Sequence, residues 1–222
     1  MKYNYEIHFK GTKKERYAQR YPNIDHERKI IFVHPPKCGG KSIEYCLFER
    51  KPIGASADHR LLCEYKPLLG ENFDQFKSFF FCRNPYDRLV STYYGRKQIL
   101  NTNVENSITF KEWIMNQANP ASWKYVTPPL HVKPGKYFAQ RLQFDYVSLP
   151  HIDEVCVDFI GRFENYENDW KVFCHDILKE PIELPHLNKS KRKNYRKYYD
   201  DEMKKHVFKL WEKDLDVFKY TF

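Results

Sequence analysis

The sequence lacks several features that would place it in well-known classes of protein. No apolar run approaches the length needed to cross a membrane, and the first residues have no apolar stretch typical of a secretory signal. The six cysteines form no C-x-x-C pair and no zinc-binding spacing, so we expect reduced thiols. No repeat, low-complexity tract or linker-like stretch interrupts the chain. We therefore expect a soluble protein with one domain over residues 1–222, in which residues 1–28 form a peripheral segment and residues 29–222 the core.

Acidic residues are fewer than basic ones. The chain has 38 Lys and Arg against 29 Asp and Glu, a formal net charge of +9. This balance favours anionic partners such as nucleotides, sulfated glycans, nucleic acids or a membrane surface, and the sign does not choose among them. Hydrophobic residues make up 41% of the chain and aromatic residues 17%, which excludes a disordered chain and allows a packed core.

A strand, a turn and a helix follow one another near the start of the predicted core. Ile30–Val33 has the composition of a buried strand, and the residues after Lys41 have apolar side chains at helical spacing. Between them, Gly39 and Gly40 let the backbone approach a ligand, and the N–H groups of the new helix point at an anion bound there. Lys37 and Lys41 add positive charge. The segment therefore predicts a phosphate-binding loop.

The loop fits a Walker A sequence only in part. Gly40-Lys41-Ser42 matches the second half of that motif, which makes a P-loop kinase one alternative. Pro35 stands where the motif has its first glycine, and the second predicted strand runs into Arg83 instead of a magnesium-binding Asp. A non-enzymatic basic module that binds glycan or nucleic acid is another alternative. Such a module predicts basic residues spread over one face, whereas the informative basic residues here lie at the ends of predicted strands.

A second motif follows the predicted strand Ser78–Cys82. Asn84 is a good N-cap and Pro85 suits the first helical position, so we expect a helix that begins at Pro85. Arg83 lies at the strand end and Ser91 is about two helical turns further on. Both can face one ligand at the carboxyl edge of a parallel sheet.

Together these segments resemble the sulfotransferases that use 3′-phosphoadenosine-5′-phosphosulfate (PAPS), and most closely the carbohydrate branch. Pro36-Lys37-Cys38-Gly39-Gly40-Lys41-Ser42-Ile43 is similar to their 5′-phosphosulfate loop, with Cys38 and Lys41 in place of two threonines. The stretch from Arg83 to Ser91 matches their 3′-phosphate motif position by position. Similar segments, Val157–Glu164 and Leu184–Asn188, extend the resemblance over the core.

The resemblance implies a fold, a reaction and a set of binding residues. The fold is α/β, a single P-loop-like domain whose central, mostly parallel sheet is flanked by helices on both faces. PAPS is the sulfuryl donor, the acceptor is a hydroxyl group, expected on a carbohydrate, and no metal is required. The implied donor-binding residues are Lys37 near the leaving oxygen, the N–H groups of Cys38, Gly39, Gly40, Lys41 and Ser42 at the 5′-phosphate, and Arg83 with Ser91 at the 3′-phosphate.

Sulfuryl transfer also needs a base for the proton of the attacking hydroxyl, and histidine is the natural base near neutral pH. Among nine histidines, His59 is our candidate, because related sequences place a histidine between the two phosphate motifs. His131, in the proline-rich stretch of residues 119–134, and the carboxylate Glu44 are alternatives. A purely structural His59 that caps or packs against the next helix also stays open.

A basic loop runs from Lys189 to Lys193. Lys189 and Arg192 are candidates for closing over the nucleotide phosphates, and a solvated run of charge is equally consistent with the pattern. We expect no nucleic-acid partner. Without an amino-terminal anchor we expect a cytoplasmic protein if its source is microbial or viral, and a Golgi location only if an anchor was removed.

Overall fold

The computed structural model describes residues 23–48, 58–100, 109–116, 118, 120, 141–185 and 192–222, and of residues 96–100 the backbone alone. Its strands are β1 (Ile24–Asp25), β2 (Ile30–Phe32), β3 (Lys77–Cys82) and β4 (Phe159–Arg162). Its α-helices are α1 (Gly40–Phe48), α2 (Leu62–Leu69), α3 (Pro85–Leu100), α4 (Phe110–Asn116), α5 (Gln143–Val147), α6 (Tyr166–Phe173), α7 (Asp201–Leu210) and α8 (Glu212–Val217).

The four strands form one sheet in the order β1-β2-β3-β4. β2 and β4 both pair with β3 in parallel, with Ile31 opposite Ser78 and Phe80 opposite Ile160. β2 and the part of β3 after the exposed Lys77 are buried on both faces, as expected for strands of a covered parallel sheet. This confirms the expected mostly parallel sheet.

β1 is the exception to the parallel order. Ile24 pairs with Ile31 in antiparallel orientation, so a short hairpin precedes the first parallel strand. The sequence placed these residues in the peripheral segment, yet the neighbouring Asn23 is fully buried.

Helices cover both faces of the sheet because alternate strand residues point in opposite directions. On one face, Phe32, Phe79 and Phe81 pack with residues of α1 and α6, among them Ile43, Trp170 and Phe173. On the other face, Ile31, Phe80 and Cys82 pack with residues of α2 and α5, among them Leu62, Tyr65 and Tyr146. The fold class is therefore α/β, as the sequence predicted.

A third apolar cluster joins α3 to α4, α7 and α8. It contains Leu89, Trp113, Met203, Val207 and Trp211. The sequence Thr109-Phe110-Lys111-Glu112 predicts a capping box. α4 begins at this box, in which Glu112 N donates to Thr109 Oγ1 (3.2 Å) and Thr109 N donates to Glu112 Oε2 (2.6 Å). In the described part of the chain, no helix is both long and apolar enough to span a membrane.

The sequence also predicts a third strand over residues 155–163, a helix after it that is capped by Asn165, and one last amphipathic helix that buries residues from Met203 to Phe218. The structure differs from each of these three predictions. The third strand is shorter than residues 155–163, because Cys156 N donates to Val147 O (2.7 Å) instead of joining the sheet. The predicted last helix divides at Trp211 into α7 and α8. The side chain of Asn165 does not cap the backbone of α6, because its Nδ2 donates to Asp169 Oδ1 (2.7 Å).

Candidate active site

The predicted phosphate loop connects β2 to α1 through a turn with unusual backbone angles. Lys37 has φ 71° and Gly39 has φ 85°, both in the left-handed region. A lysine in this region is uncommon and costs free energy, which is typical of functional loops. Ser42 N donates to Gly39 O (3.1 Å), which closes the turn onto the helix. The N–H groups of Gly40 and Lys41, at the very start of α1, precede this bond and can point at a bound anion.

Gly39 and Gly40 are also needed for a steric reason that is independent of any ligand, because aromatic side chains of the protein pack closely against both of them. A Cβ on Gly40 would lie 2.2 Å from His34 Cδ2, and one on Gly39 would lie 3.0 Å from Tyr166 Cζ. Tyr166, from α6, donates its hydroxyl to Gly39 O (2.8 Å). The glycines therefore let His34 and Tyr166 pack against the loop and hold its shape.

Gly40→Ala is expected to lower the free energy of unfolding by about 1–3 kcal/mol, because the added methyl group overlaps the buried His34 ring. Thermal or urea unfolding measures this change. Gly95→Ala is the matched control, since among the described residues a Cβ on Gly95 meets the flexible end of Lys37. The control should keep or raise stability, because alanine favours helices. Equal stability of Gly40→Ala and wild type would contradict the packing argument.

Arg83 joins the phosphate loop to α3. Its Nη1 donates to Lys37 O (2.8 Å), while Nε and Nη2 donate to Asp87 Oδ2 (2.9 and 2.6 Å). The guanidinium also lies 3.9 Å from the centre of the Phe163 ring. Arg83 is only 5% exposed, so its head group is fixed between the two predicted phosphate motifs.

Ser91 faces the same region by its position on α3. Asp87, Ser91 and Gly95 follow each other at intervals of four residues, which places them on one face of the helix. Asp87 contacts Arg83 at one end of this face, and a Cβ on Gly95 would lie 2.6 Å from Lys37 Nζ at the other. Ser91 therefore lies between the contacts made by Arg83 and Lys37.

Arg192 reaches this cluster from the basic loop. Its Nη1 lies 2.5 Å from Asp87 Oδ1, so one carboxylate holds two arginines. Burial lowers the pKa of Lys37, and the charges of Arg83 and Arg192 lower it further. Two arginines thus share Asp87, and Lys37 lies close enough to both for their charges to act on it. The three basic side chains outnumber the one carboxylate, and this excess positive charge attracts a multiply charged anion. Lys189, the other candidate from this loop, lies outside the described residues.

His59 contacts the backbone of His34, which lies at the start of the segment from β2 to α1. Its Nδ1 is 2.7 Å from His34 O. A carbonyl can only accept, so Nδ1 holds the proton and the neutral ring has its lone pair on Nε2. Burial and the neighbouring His34 hold the pKa of His59 well below its usual value. A neutral imidazole with a basic Nε2 is the form that a general base requires.

The sequence matches a known protein family over almost its whole length. Residues 21–221 match the profile of the sulfotransferase family. The chain belongs to this family. No curated protein matches it. The family assignment makes the chain a transferase that moves a sulfuryl group to an acceptor with a hydroxyl.

In this sulfotransferase, Gln143 ties the two predicted motifs together, which the sequence did not reveal. Its Oε1 accepts from Arg83 N (2.8 Å) and from Cys38 Sγ (3.3 Å), and its Nε2 donates to Arg83 O (2.8 Å). Asp214 in turn accepts from Gln143 N (2.8 Å) and Phe144 N (2.9 Å). Burial raises the pKa of Asp214 to about 6. The amide of Gln143 therefore continues the hydrogen bonding of β3 beyond its last residue.

Cys38 and Arg88 stabilise the loop from inside the sulfotransferase. Burial raises the pKa of the Cys38 thiol to about 12, so Cys38 is a neutral hydrogen-bond donor to Gln143. Arg88 is 1% exposed and donates to Pro36 O (3.1 Å) and Arg141 O (2.7 Å). Both side chains therefore fix the loop from its buried side.

The start of α3 is held from two other parts of the fold. Asn84 caps the helix as predicted, because its Oδ1 accepts from Tyr86 N (3.0 Å). Asn84 N donates to Glu164 Oε1 (2.7 Å), and Asn84 Nδ2 donates to Thr221 O (2.7 Å). Arg83, the preceding residue, is thereby fixed through the backbone as well as through its side chain.

Proposed function

We propose that this sulfotransferase takes the sulfuryl group from PAPS and transfers it to a hydroxyl of a carbohydrate. The observation that supports this proposal best is the position of Arg83. Its guanidinium bonds to the Lys37 carbonyl and to Asp87, so the loop and the Ser91 face of α3 lie side by side. A nucleotide with phosphates at both the 5′ and 3′ positions fits two neighbouring anion sites.

Arg83 bonds to the phosphate loop on one side and to α3 on the other, and we assign one phosphate of the donor to each side. The N–H groups from Cys38 to Ser42 are proposed to hold the 5′-phosphate, with the start of α1 behind them. Arg83 and Arg192, which share Asp87, and the nearby Ser91 are proposed to bind the 3′-phosphate. Charge-assisted bonds from arginine to phosphate are among the strongest in proteins.

The chemistry then needs one cation and one base. The acceptor oxygen attacks the sulfur, the bond from sulfur to the 5′-phosphate oxygen breaks, and negative charge develops on that oxygen. Lys37 is proposed to stabilise this charge. His59 is proposed to take the hydroxyl proton on Nε2. No metal has a part in this scheme.

The carbohydrate acceptor is supported by the resemblance to the carbohydrate branch and by the net charge of +9, which suits an acidic glycan. Transfer of radiolabelled sulfate from PAPS to a panel of glycans, with simple phenols as the comparison, tests this class. Labelling of phenols alone would contradict it.

The nucleotide assignment is tested by calorimetry with 3′,5′-adenosine bisphosphate (PAP) and with ADP, which lacks the 3′-phosphate. PAP should bind more tightly than ADP by about tenfold or more, since at least one charge-assisted contact is lost. Equal affinities would contradict the proposed 3′-phosphate site. Thermal stabilisation by ATP with magnesium, and not by PAP, would favour the kinase alternative.

Arg83→Ala is expected to weaken PAP binding at least tenfold, because a hydrogen bond to a charged group contributes about 1.5–3 kcal/mol. The loss should be smaller for ADP, so the preference for PAP should shrink. Calorimetry measures both affinities, and circular dichroism checks the fold.

Arg162→Ala is the control for this change. Arg162 also lies at the end of a strand, but it donates to Phe218 O (2.8 Å) and lies against Tyr220. PAP affinity should be unchanged in this variant. A similar loss in both variants would indicate general damage to the sheet edge.

A further inference from the structure

A buried carboxylate next to the phosphate loop has no part in the mechanism above. Glu44, on α1, is 2% exposed. Its Oε1 accepts from His34 Nδ1 (3.1 Å), from Asp58 N (3.0 Å) and from Asn23 Nδ2 (3.2 Å). A carboxylate buried this deeply needs several donors to offset its lost hydration.

Two of these three bonds lead directly to His59. Asp58 is the residue before His59, so its N–H bond fixes the backbone that precedes the imidazole. His34 provides the carbonyl that accepts from His59 Nδ1, and the two rings have their centres 4.4 Å apart. Glu44 holds His34 through its ring and Asp58 through its backbone. It therefore fixes His59 from both sides.

We infer that Glu44 is the positioning residue for the base: it orients His59 and stabilises the imidazolium that forms when His59 accepts the hydroxyl proton. The inference rests on the proposed function, in which His59 is that base. We place Glu44 behind His59 and not at the acceptor, because its carboxylate is buried and bonds to three donors of the protein.

The charges around His59 support an electrostatic role for Glu44. Among the residues that the structure describes, the titratable and charged groups near His59 include His34 before the loop, Lys41 and Glu44 of α1, and Asp58 and Arg60 of its own segment. Burial is the strongest influence on the pKa of His59 and lowers it, and the charges of His34 and Lys41 act in the same direction. The negative charge of Glu44 opposes them. Asp58 is paired with Arg60 Nη1 (2.7 Å), so within the described part of the chain Glu44 is the carboxylate that favours the imidazolium.

Glu44→Gln tests the inference with a small change in shape. The amide oxygen can still accept from Asp58 N and His34 Nδ1, while the charge is removed. The pKa of His59 should fall, because the anion that favours its protonated form is gone. The rate requires neutral His59 and is lost as the pH drops through that pKa, so the acid limb of the kcat profile should move to lower pH. The plateau kcat should also fall, by about tenfold or more, because a less basic imidazole is a weaker base. PAP affinity should be unchanged.

Two other variants separate the charge from general stability. Glu44→Asp keeps the carboxylate and should restore part of the lost kcat. Asp158→Asn makes the same change from acid to amide at the amino end of β3, where Asp158 accepts from Ser78 N (2.8 Å) and Lys77 Nζ (2.8 Å). This control should keep both the kcat and the acid limb of wild type.

An NMR titration of the His59 ring nitrogens gives a readout that needs no catalysis. In wild type the neutral ring should show the proton on Nδ1, and in Glu44→Gln the midpoint should move to lower pH. If the midpoint and kcat stay at wild-type values and only the Tm falls, Glu44 is merely structural and the inference is overturned. If His59→Ala keeps full turnover, the base assignment fails instead, whatever the midpoint shows. If Glu44→Gln does not fold, Glu44→Asp serves as the test, because its shorter side chain keeps the charge but not the full set of bonds to His34 and Asp58. Its kcat should lie below wild type, and a wild-type kcat in Glu44→Asp would overturn the inference.

Discussion

His59→Ala should lower kcat by about two to four orders of magnitude, because general-base catalysis contributes roughly 10²–10⁴-fold. The affinity for PAP should change little, since His59 bonds to the His34 carbonyl at the loop entrance and belongs to neither phosphate motif. Steady-state kinetics with saturating PAPS and calorimetry with PAP measure the two effects separately.

The pH dependence gives a further check on His59. Because burial and His34 lower its pKa well below the usual value, the neutral base should persist into mildly acidic solution. The rate should be full above that pKa and be lost only below it. His175→Ala, at an exposed histidine that bonds to Asp176, should have no effect. Turnover close to wild type in His59→Ala would eliminate His59 and move the role to His131, which lies outside the described residues.

Lys37→Ala should lower kcat by about 10²–10³-fold and weaken PAP binding much less. The pKa of Lys37 is lowered by burial and by two neighbouring arginines, so its ammonium gains most where new negative charge appears. That charge develops on the leaving oxygen during transfer, and an interaction realised only then affects kcat more than ground-state affinity.

Lys77→Ala is the matched control for this lysine. Lys77 is exposed and pairs with Asp158 at the opposite end of β3, so kcat should not change. Equal losses of PAP affinity and kcat in Lys37→Ala would show that Lys37 binds the ground state and the transition state alike. Loss of wild-type activity on chelation, restored by magnesium, would contradict the metal-free scheme.

The parts of the site that the sequence predicted depend on local spacing. The order of strand, glycine turn and helix located the loop, and the interval from Arg83 to Ser91 placed both residues on one side of α3. Asn84 fulfilled its predicted capping role because an N-cap acts on backbone groups two or three residues away. Such relations need no knowledge of the tertiary fold.

The residues that the sequence missed act across long separations. Gln143 and Asp214 reach the end of β3 from distant segments, and a buried amide or carboxylate has no local pattern that reveals its partner. Tyr166 likewise contacts the phosphate loop from a segment that is distant in sequence, because its hydroxyl donates to Gly39 O. The close packing of Gly40 against His34 was equally hidden, because it depends on where a distant ring comes to lie.

Element boundaries were also harder to predict than element types. The apolar pattern of residues 155–163 continues beyond the paired strand, because Val155–Val157 packs on the core without joining the sheet. The periodic pattern of the last helix continues through Trp211, whose buried ring fits either one helix or two. Hydrophobic periodicity records burial, and burial does not require a continuous element.

The contacts of residues 214–221 determine when the enzyme can complete its fold during synthesis. Asp214 fixes Gln143, Tyr220 donates to Glu164 (2.7 Å), and the Thr221 carbonyl accepts from Asn84. During synthesis on a ribosome, the sheet and the phosphate loop emerge well before these residues do. The donor nucleotide can therefore contribute little to the stability of the nascent chain until this segment has left the exit tunnel.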